Sequence, residues 1–159
     1  MAINPALVTT GTTELFPAPF PGESILLKRT KMSLDLNGLR SNPSKWSSRG
    51  TLYLTNIRMV FVADARDPSG LHAFDFPLSY LRNDVLNQPI FFCNNLSGEV
   101  WPAEEGGGPS GTLPPYDFKL YFKEGGIGTF YPLYYAMVDA AKKAAAQRMH
   151  FQATRESEQ

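Results

Sequence analysis

The chain has 159 residues, is 43% apolar and 13% aromatic, and carries a formal net charge of zero. That length supports one domain with a real core, because a single core is thin below roughly 70–80 residues and chains beyond about 250 split. A lone cysteine, Cys93, excludes an internal disulfide, and two histidines, His72 and His150, give no clustered Cys/His spacing for zinc, so neither a metal nor a cofactor is expected.

No apolar run approaches the ~18 residues needed to span a bilayer, and MAINPALVTTGTTELF has neither the basic start nor the apolar stretch of a secretory signal. The expectation is a soluble protein of the cytoplasm or nucleus. Charge is unevenly spread: residues 24–58 hold seven bases (Lys28, Arg29, Lys31, Arg40, Lys45, Arg49, Arg58) and one acid, Asp35. Such a segment could face an anionic partner, or it could be solvated strand edges and loops.

Residues 1–22 are proline-punctuated and aperiodic, which predicts an extended lead-in draped on the surface. ESILLKRTKMSLDLN alternates Met32, Leu34 and Leu36 with Lys31, Ser33 and Asp35, the period of a half-buried strand. SNPSKWSSRG reads as a long loop. TLYLT and RMVFVA, separated by Asn56 and Ile57, predict an antiparallel hairpin. HAFDFPLSYL sends Phe74, Phe76 and Leu78 inward, with Pro77 marking an edge or a strand end. NQPIFFCNNLSGEVWPA reads as two short strands about an Asn-Asn turn, with Cys93 a small core residue. Trp46 and Trp101 are expected at the rim. YDFKLYF places Tyr116, Phe118, Leu120 and Phe122 on one face and Asp117, Lys119 and Tyr121 on the other, with Lys123 following in phase.

After Gly128 the period becomes helical. Tyr134, Val138, Ala141, Ala145 and Met149 form one stripe, Asp139, Lys142, Lys143, Gln147 and His150 the other, with Thr129 as N-cap and Pro132 in the first turn. The predicted architecture is mainly β: an antiparallel barrel of about seven strands capped by a C-terminal α-helix. Its domain spans residues 23–151, and residues 152–159 form a polar tail.

GTLYLTNIRMVFVA, AFDFPLSYL, NQPIFFCNN with GEV, and FKLYFKEGGIGTFYPL resemble the GRAM domain of the WW-domain-binding protein 2 family, particularly its plant-type members. The resemblance implies a pleckstrin-homology-like barrel and a non-enzymatic adaptor of the transcriptional coactivator type. It implies protein partners, WW-domain proteins among them, and, through GRAM domains generally, phosphoinositide membranes, which would make the protein peripherally membrane-associated. Animal members continue into a proline-rich PPxY tail, whereas this chain has no proline after Pro132.

Two binding sites compete with structural readings. Leu113, Pro114, Pro115 and Tyr116 form an LPxY variant of the motif that WW domains grip in polyproline conformation. Against this, Tyr116 is in phase with Phe118, Leu120 and Phe122, so burial of the aromatic ring is favoured. YPLY, at the helix start, is discounted. The second site is a lipid-headgroup cluster from Lys28, Arg29, Lys31, Arg40, Lys45 and Arg49. Alternation sends Arg29 and Lys31 to one face and Lys28 to the other, so convergence requires a bulge.

No catalytic residue is assigned. GGIGT precedes the last element, so no βαβ unit can complete a phosphate cradle, and neither GxxxxGK[ST] nor G-x-S-x-G occurs. With neutral charge and no reading element, direct sequence-specific nucleic-acid binding is not expected.

Overall fold

The computed structural model describes residues 1–9, 11 and 13–158. The described residues form ten strands: β1 Ala2–Ile3, β2 Leu7–Val8, β3 Phe16–Pro17, β4 Ile25–Asn37, β5 Trp46–Thr55, β6 Arg58–Ala63, β7 Ala73–Pro77, β8 Leu81–Asn87, β9 Asn95–Val100 and β10 Tyr116–Phe122, with period-two alternation clearest in β10. The helix α1 spans Ile127–Ser157. The described residues form one eight-stranded antiparallel sheet in the order β1-β7-β6-β5-β4-β10-β9-β8, with β2 and β3 paired separately. Consecutive β7 and β8 lie near opposite edges of that sheet, joined by a 3-10 turn at Leu78–Tyr80. A connection so short requires the sheet to curl, and Phe76 of β7 meets Phe118 of β10 across the interior at 5.3 Å between ring centroids.

The concave face is filled by Leu34, Leu36, Leu52, Leu54, Phe61, Phe74, Phe76, Phe118, Leu120 and Phe122, all buried. Full burial of such a side chain stabilises the fold by about 1.5–3 kcal/mol relative to exposure. The helix closes the open end with Ile127, Phe130, Tyr134 and Val138. Tyr134 stacks on Phe130 at 5.5 Å and its hydroxyl donates to Asp84 Oδ2 at 2.8 Å. A bulge in β8 makes that bond possible: the register slips between Arg82 and Val85, and Asn83 takes φ 51°.

Several expectations need correction. The lead-in does not merely drape: β1 extends the sheet beside β7, Met1 is buried in the core, and Leu7 and Phe16 cover Tyr53, Val60 and Val62 on the outer face of β5 and β6. An ionic cluster pins its end. Arg58 donates to Glu23 Oε2 at 2.7 Å and Oε1 at 3.0 Å, to Asp75 Oδ2 at 2.8 Å and to Ala18 O at 2.9 Å, while Phe20 lies over its guanidinium at 4.2 Å. Burial works against Glu23 ionising, but bonds from Arg58, the Phe20 amide and Thr55 outweigh it and hold the carboxyl below its ordinary value. Asp75 is pushed up by burial, with one oxygen unpartnered. The difference is physical, because Glu23 receives the larger share of the donors.

Trp46 is core and not rim: it opens β5, packs on Phe74 at 4.8 Å and donates to Asp67 Oδ2 at 2.7 Å. The strand expected over Pro89–Cys93 is a loop between β8 and β9, and Cys93 is only half-buried there. The helix starts earlier than expected, capped by Gly126 at φ 86° instead of Thr129, which leaves Pro132 beyond the first turn. Its stripe is buried only as far as Val138, and Met149 is exposed. Helix continues through most of the expected polar tail, to Ser157; Gln159 lies outside the described residues.

Candidate functional site

The bulge that convergence required is present, but it separates the bases. The register of β4 against β5 shifts between Arg29 and Met32, with Lys31 at φ 55°. Before the bulge, Arg29 pairs with Leu52 and reaches the helix start, donating to Gly126 O at 3.3 Å and to the Thr129 hydroxyl. Lys28 pairs with Tyr53 on the other face and binds Glu14 of the lead-in. Lys31 faces Glu124 at 3.3 Å. Arg40 lies elsewhere, donating to Glu104 Oε1 at 2.5 Å and to the Tyr116 hydroxyl at 2.7 Å. The six predicted headgroup residues therefore do not form one site.

A different grouping emerges on the outer face of the sheet. Arg49, Ser33, Tyr121 and Asn95 are successive cross-strand partners on β5, β4, β10 and β9. Lys119 and Lys123 flank the Tyr121 ring at 5.6 and 5.4 Å. Burial, then Asp35 beside it, raises the Tyr121 phenol above its ordinary value. Lys31, Arg49 and Lys123 line one shallow concavity with Ser33, Asp64 and Glu124, and Lys45 and Lys119 line another with Asp35 and Asp117. Sequence reasoning missed Lys119, Tyr121 and Lys123. Their shared face was visible in the alternation of β10, but their neighbours were not, because strand order is not written locally.

Leu113, Pro114, Pro115 and Tyr116 lead into β10. Tyr116 is 3% exposed and pairs with Val100. Its hydroxyl accepts from Arg40 and lies 3.4 Å from Glu104 Oε1, and burial raises its phenol above the ordinary value. In this conformation the tyrosine cannot enter a partner's pocket. At the opposite end of β9, Ile90, Phe91 and Phe92 are 92%, 89% and 81% exposed. They too were missed, since an apolar run bounded by Asn and Pro reads as a buried strand. Among the described residues no three His, Cys, Asp or Glu side chains gather as a metal site, and no helix is long and apolar enough to cross a membrane.

A curled antiparallel sheet closed by a C-terminal helix is the pleckstrin-homology-like architecture. The Vps36 N-terminal PH domain superposes with a TM-score of 0.56 over 84% of this chain and 91% of that one, at 16% identity, a likeness of fold alone. No family model matches the chain. Sequence relatives supply the family. WW domain-binding protein 2 of Homo sapiens is 33% identical over 110 residues, 68% of this chain and 40% of that protein. The postacrosomal sheath WW domain-binding protein of Bos taurus is 32% identical over 147 residues, 91% of this chain and 44% of that protein. A stress-induced protein of Schizosaccharomyces pombe is 40% identical over 83 residues, 52% of this chain and 45% of that protein. The chain is a homologue of WW domain-binding protein 2 and belongs to its family. It spans less than half the length of these three relatives.

Proposed function

We propose that the chain is a non-enzymatic protein-interaction adaptor whose half-barrel is a scaffold for surface contacts. The observation that carries this reading is homology to proteins named for binding WW domains, on a fold whose interior is packed with its own aromatic side chains. The finer proposal is a coactivator-type adaptor acting in the cytoplasm or nucleus, with WW-domain proteins among its partners and no direct sequence-specific contact with nucleic acid.

Burial of Tyr116 makes the WW reading testable. If a WW domain takes Leu113–Tyr116, the start of β10 must open, and the apparent affinity falls by the fraction of chains that are open. For a minor state populated at about 0.1–10%, the folded chain binds at least about tenfold more weakly than a free peptide of residues 109–120. Titration of both into a panel of WW domains measures this. Failure of every WW domain to bind either one would end the WW-partner part of the proposal.

A second reading is an adaptor responsive to phosphoinositide or other anionic membranes. The concavity shared by Lys31, Arg49 and Lys123 favours it, although Asp64 and Glu124 in the same lining limit its charge. Vesicle flotation at low and high salt, with and without phosphoinositide, tests this second reading. Recovery equal to that on neutral vesicles would remove it.

A further inference from the structure

The loop joining β8 to β9 holds three consecutive large apolar side chains, Ile90, Phe91 and Phe92, almost entirely in solvent. Single exposed hydrophobics are ordinary, but a contiguous apolar tip of this kind marks an interaction site. The root of the loop, by contrast, is firmly tied. Phe122 N donates to Asn94 O at 2.9 Å, and Asn87 Nδ2 donates to Asn95 Oδ1 at 2.8 Å and to Ser97 Oγ at 3.0 Å. The loop is thus a polar collar carrying an apolar end.

The surface around that collar has a definite character. Asn95 at the root is the cross-strand partner of Tyr121, which lies between Lys119 and Lys123, with Arg49 two strands further in the same row. Lys31 adjoins them, paired to Glu124. An aromatic ring between long cations is suited to a lipid headgroup layer, where the ring sits at the interface and the ammonium groups reach the phosphates.

We propose that Ile90–Phe92 insert into the surface of an anionic bilayer, with Tyr121, Lys119, Lys123 and Arg49 resting in its headgroups. This deepens the membrane reading and rests on it. A protein partner would need a groove that clasps a convex tip on all sides, whereas a bilayer accepts any apolar tip that reaches its acyl boundary. Five cations (Lys31, Lys45, Arg49, Lys119, Lys123) face four carboxylates (Asp35, Asp64, Asp117, Glu124) across this surface. So small an excess gives a modest anionic preference, and the apolar tip supplies most of the binding.

The test uses the full chain with phosphatidylcholine vesicles, with and without phosphatidylserine. Wild type floats with both, about fivefold better with phosphatidylserine, as one surplus cation near the surface implies. The double variant Phe91→Ser/Phe92→Ser binds about tenfold or more weakly, following the transfer of two large side chains. A Phe91→Trp variant shows a blue shift in emission on vesicle addition, over the unchanged contribution of Trp46 and Trp101. Adding Lys123→Glu to that variant weakens anionic binding without abolishing the blue shift.

If the chain binds anionic vesicles but the serine variant binds equally well and Phe91→Trp does not shift, insertion is overturned while the membrane reading survives. If the chain floats with neither vesicle, both fall. If it fails to float and sedimentation shows self-association that the serine variant removes, the tip's occupant is a second copy and the proposal is overturned.

Discussion

Two proline-led aromatic segments lie at opposite ends of the β9–β10 pair. Tyr116, after Leu113-Pro114-Pro115, is buried opposite Val100; Phe91 and Phe92, after Pro89-Ile90, stand in solvent just beyond Asn95, the partner of Tyr121. The exposed segment is the more apolar one. What separates them is phase: Tyr116 is two residues from Phe118 and so shares its face, whereas three consecutive apolar residues cannot share one face of a pleated strand. Asn87 pairs directly with Asn95, so the intervening residues are looped out of the ladder. Register decides the fate of an aromatic side chain here, and hydrophobicity alone does not.

The widest gap between the two ends should appear in stability. Tyr116→Ala removes a core ring and is expected to cost about 3–5 kcal/mol, while Phe91→Ala should stay within about 0.5 kcal/mol of wild type, as surface changes do. Urea unfolding of both variants measures the difference. Comparable losses would show that the loop tip packs against the domain and would dissolve the contrast.

A smaller effect separates the ring of Tyr116 from its hydroxyl. Tyr116→Phe keeps the packing and loses the bond from Arg40, for a cost of about 1 kcal/mol at neutral pH. Burial raises the Tyr116 phenol, pushes Tyr53 up to about 12, with Glu14 adding to it, and raises Tyr134 further. In the unfolded chain each ionises near its ordinary value of about 10. The folded state therefore holds more protons above that value, so this stability is complete below about pH 10 and is lost as pH rises through the folded values. Phenolate absorbance should rise cooperatively with alkaline unfolding. The loss should be shallower in Tyr116→Phe than in wild type, whereas Phe91→Ser should follow wild type.

Much of this was legible in the chain. The inward sets Met32-Leu34-Leu36, Phe74-Phe76 and Tyr116-Phe118-Leu120-Phe122 follow from alternation alone and are all buried. The period of the helix was equally readable, though Gly126 starts it where Thr129 was expected, because a cap is chosen by the turn before it. What could not be read depends on distant partners. The letters of strand β8, LRNDVLN, show no apolar–polar alternation, and within its bulge Asp84 meets the hydroxyl of the distant Tyr134. The bulge in β4 was anticipated as a way to gather Lys28, Arg29 and Lys31, yet it distributes them to the lead-in, the helix start and Glu124. Trp46 in a polar loop-like stretch, and the cluster about Tyr121, are set by tertiary neighbours in the same way.

A finer difference concerns the support given to the buried end. Arg40 bridges Glu104 and the Tyr116 hydroxyl and lies over its ring at 5.2 Å, but both charged partners are well exposed. Solvent screening reduces such a pair to about 1 kcal/mol or less, so Arg40→Ala should lower the urea midpoint slightly. The same change should bring the folded chain closer to the free 109–120 peptide in WW affinity, because it eases opening at the start of β10. An unchanged ratio would mean that the strand end is held by the ring alone.

The smallest expected effect is the most informative about the exposed end. Phe91→Ser/Phe92→Ser should leave the urea midpoint and the thermal transition within error of wild type, since neither ring covers the core and the loop root is held by Asn87, Asn94 and Phe122. Proteins seldom keep a solvent-facing apolar tip without using it, because it invites association. A side chain that adds nothing to stability and remains apolar is accounted for by what it meets outside the fold. A drop in stability above about 1 kcal/mol would contradict this, because it is more than a surface substitution costs. An unchanged midpoint together with lost vesicle binding would place the role of residues 90–92 wholly in recognition.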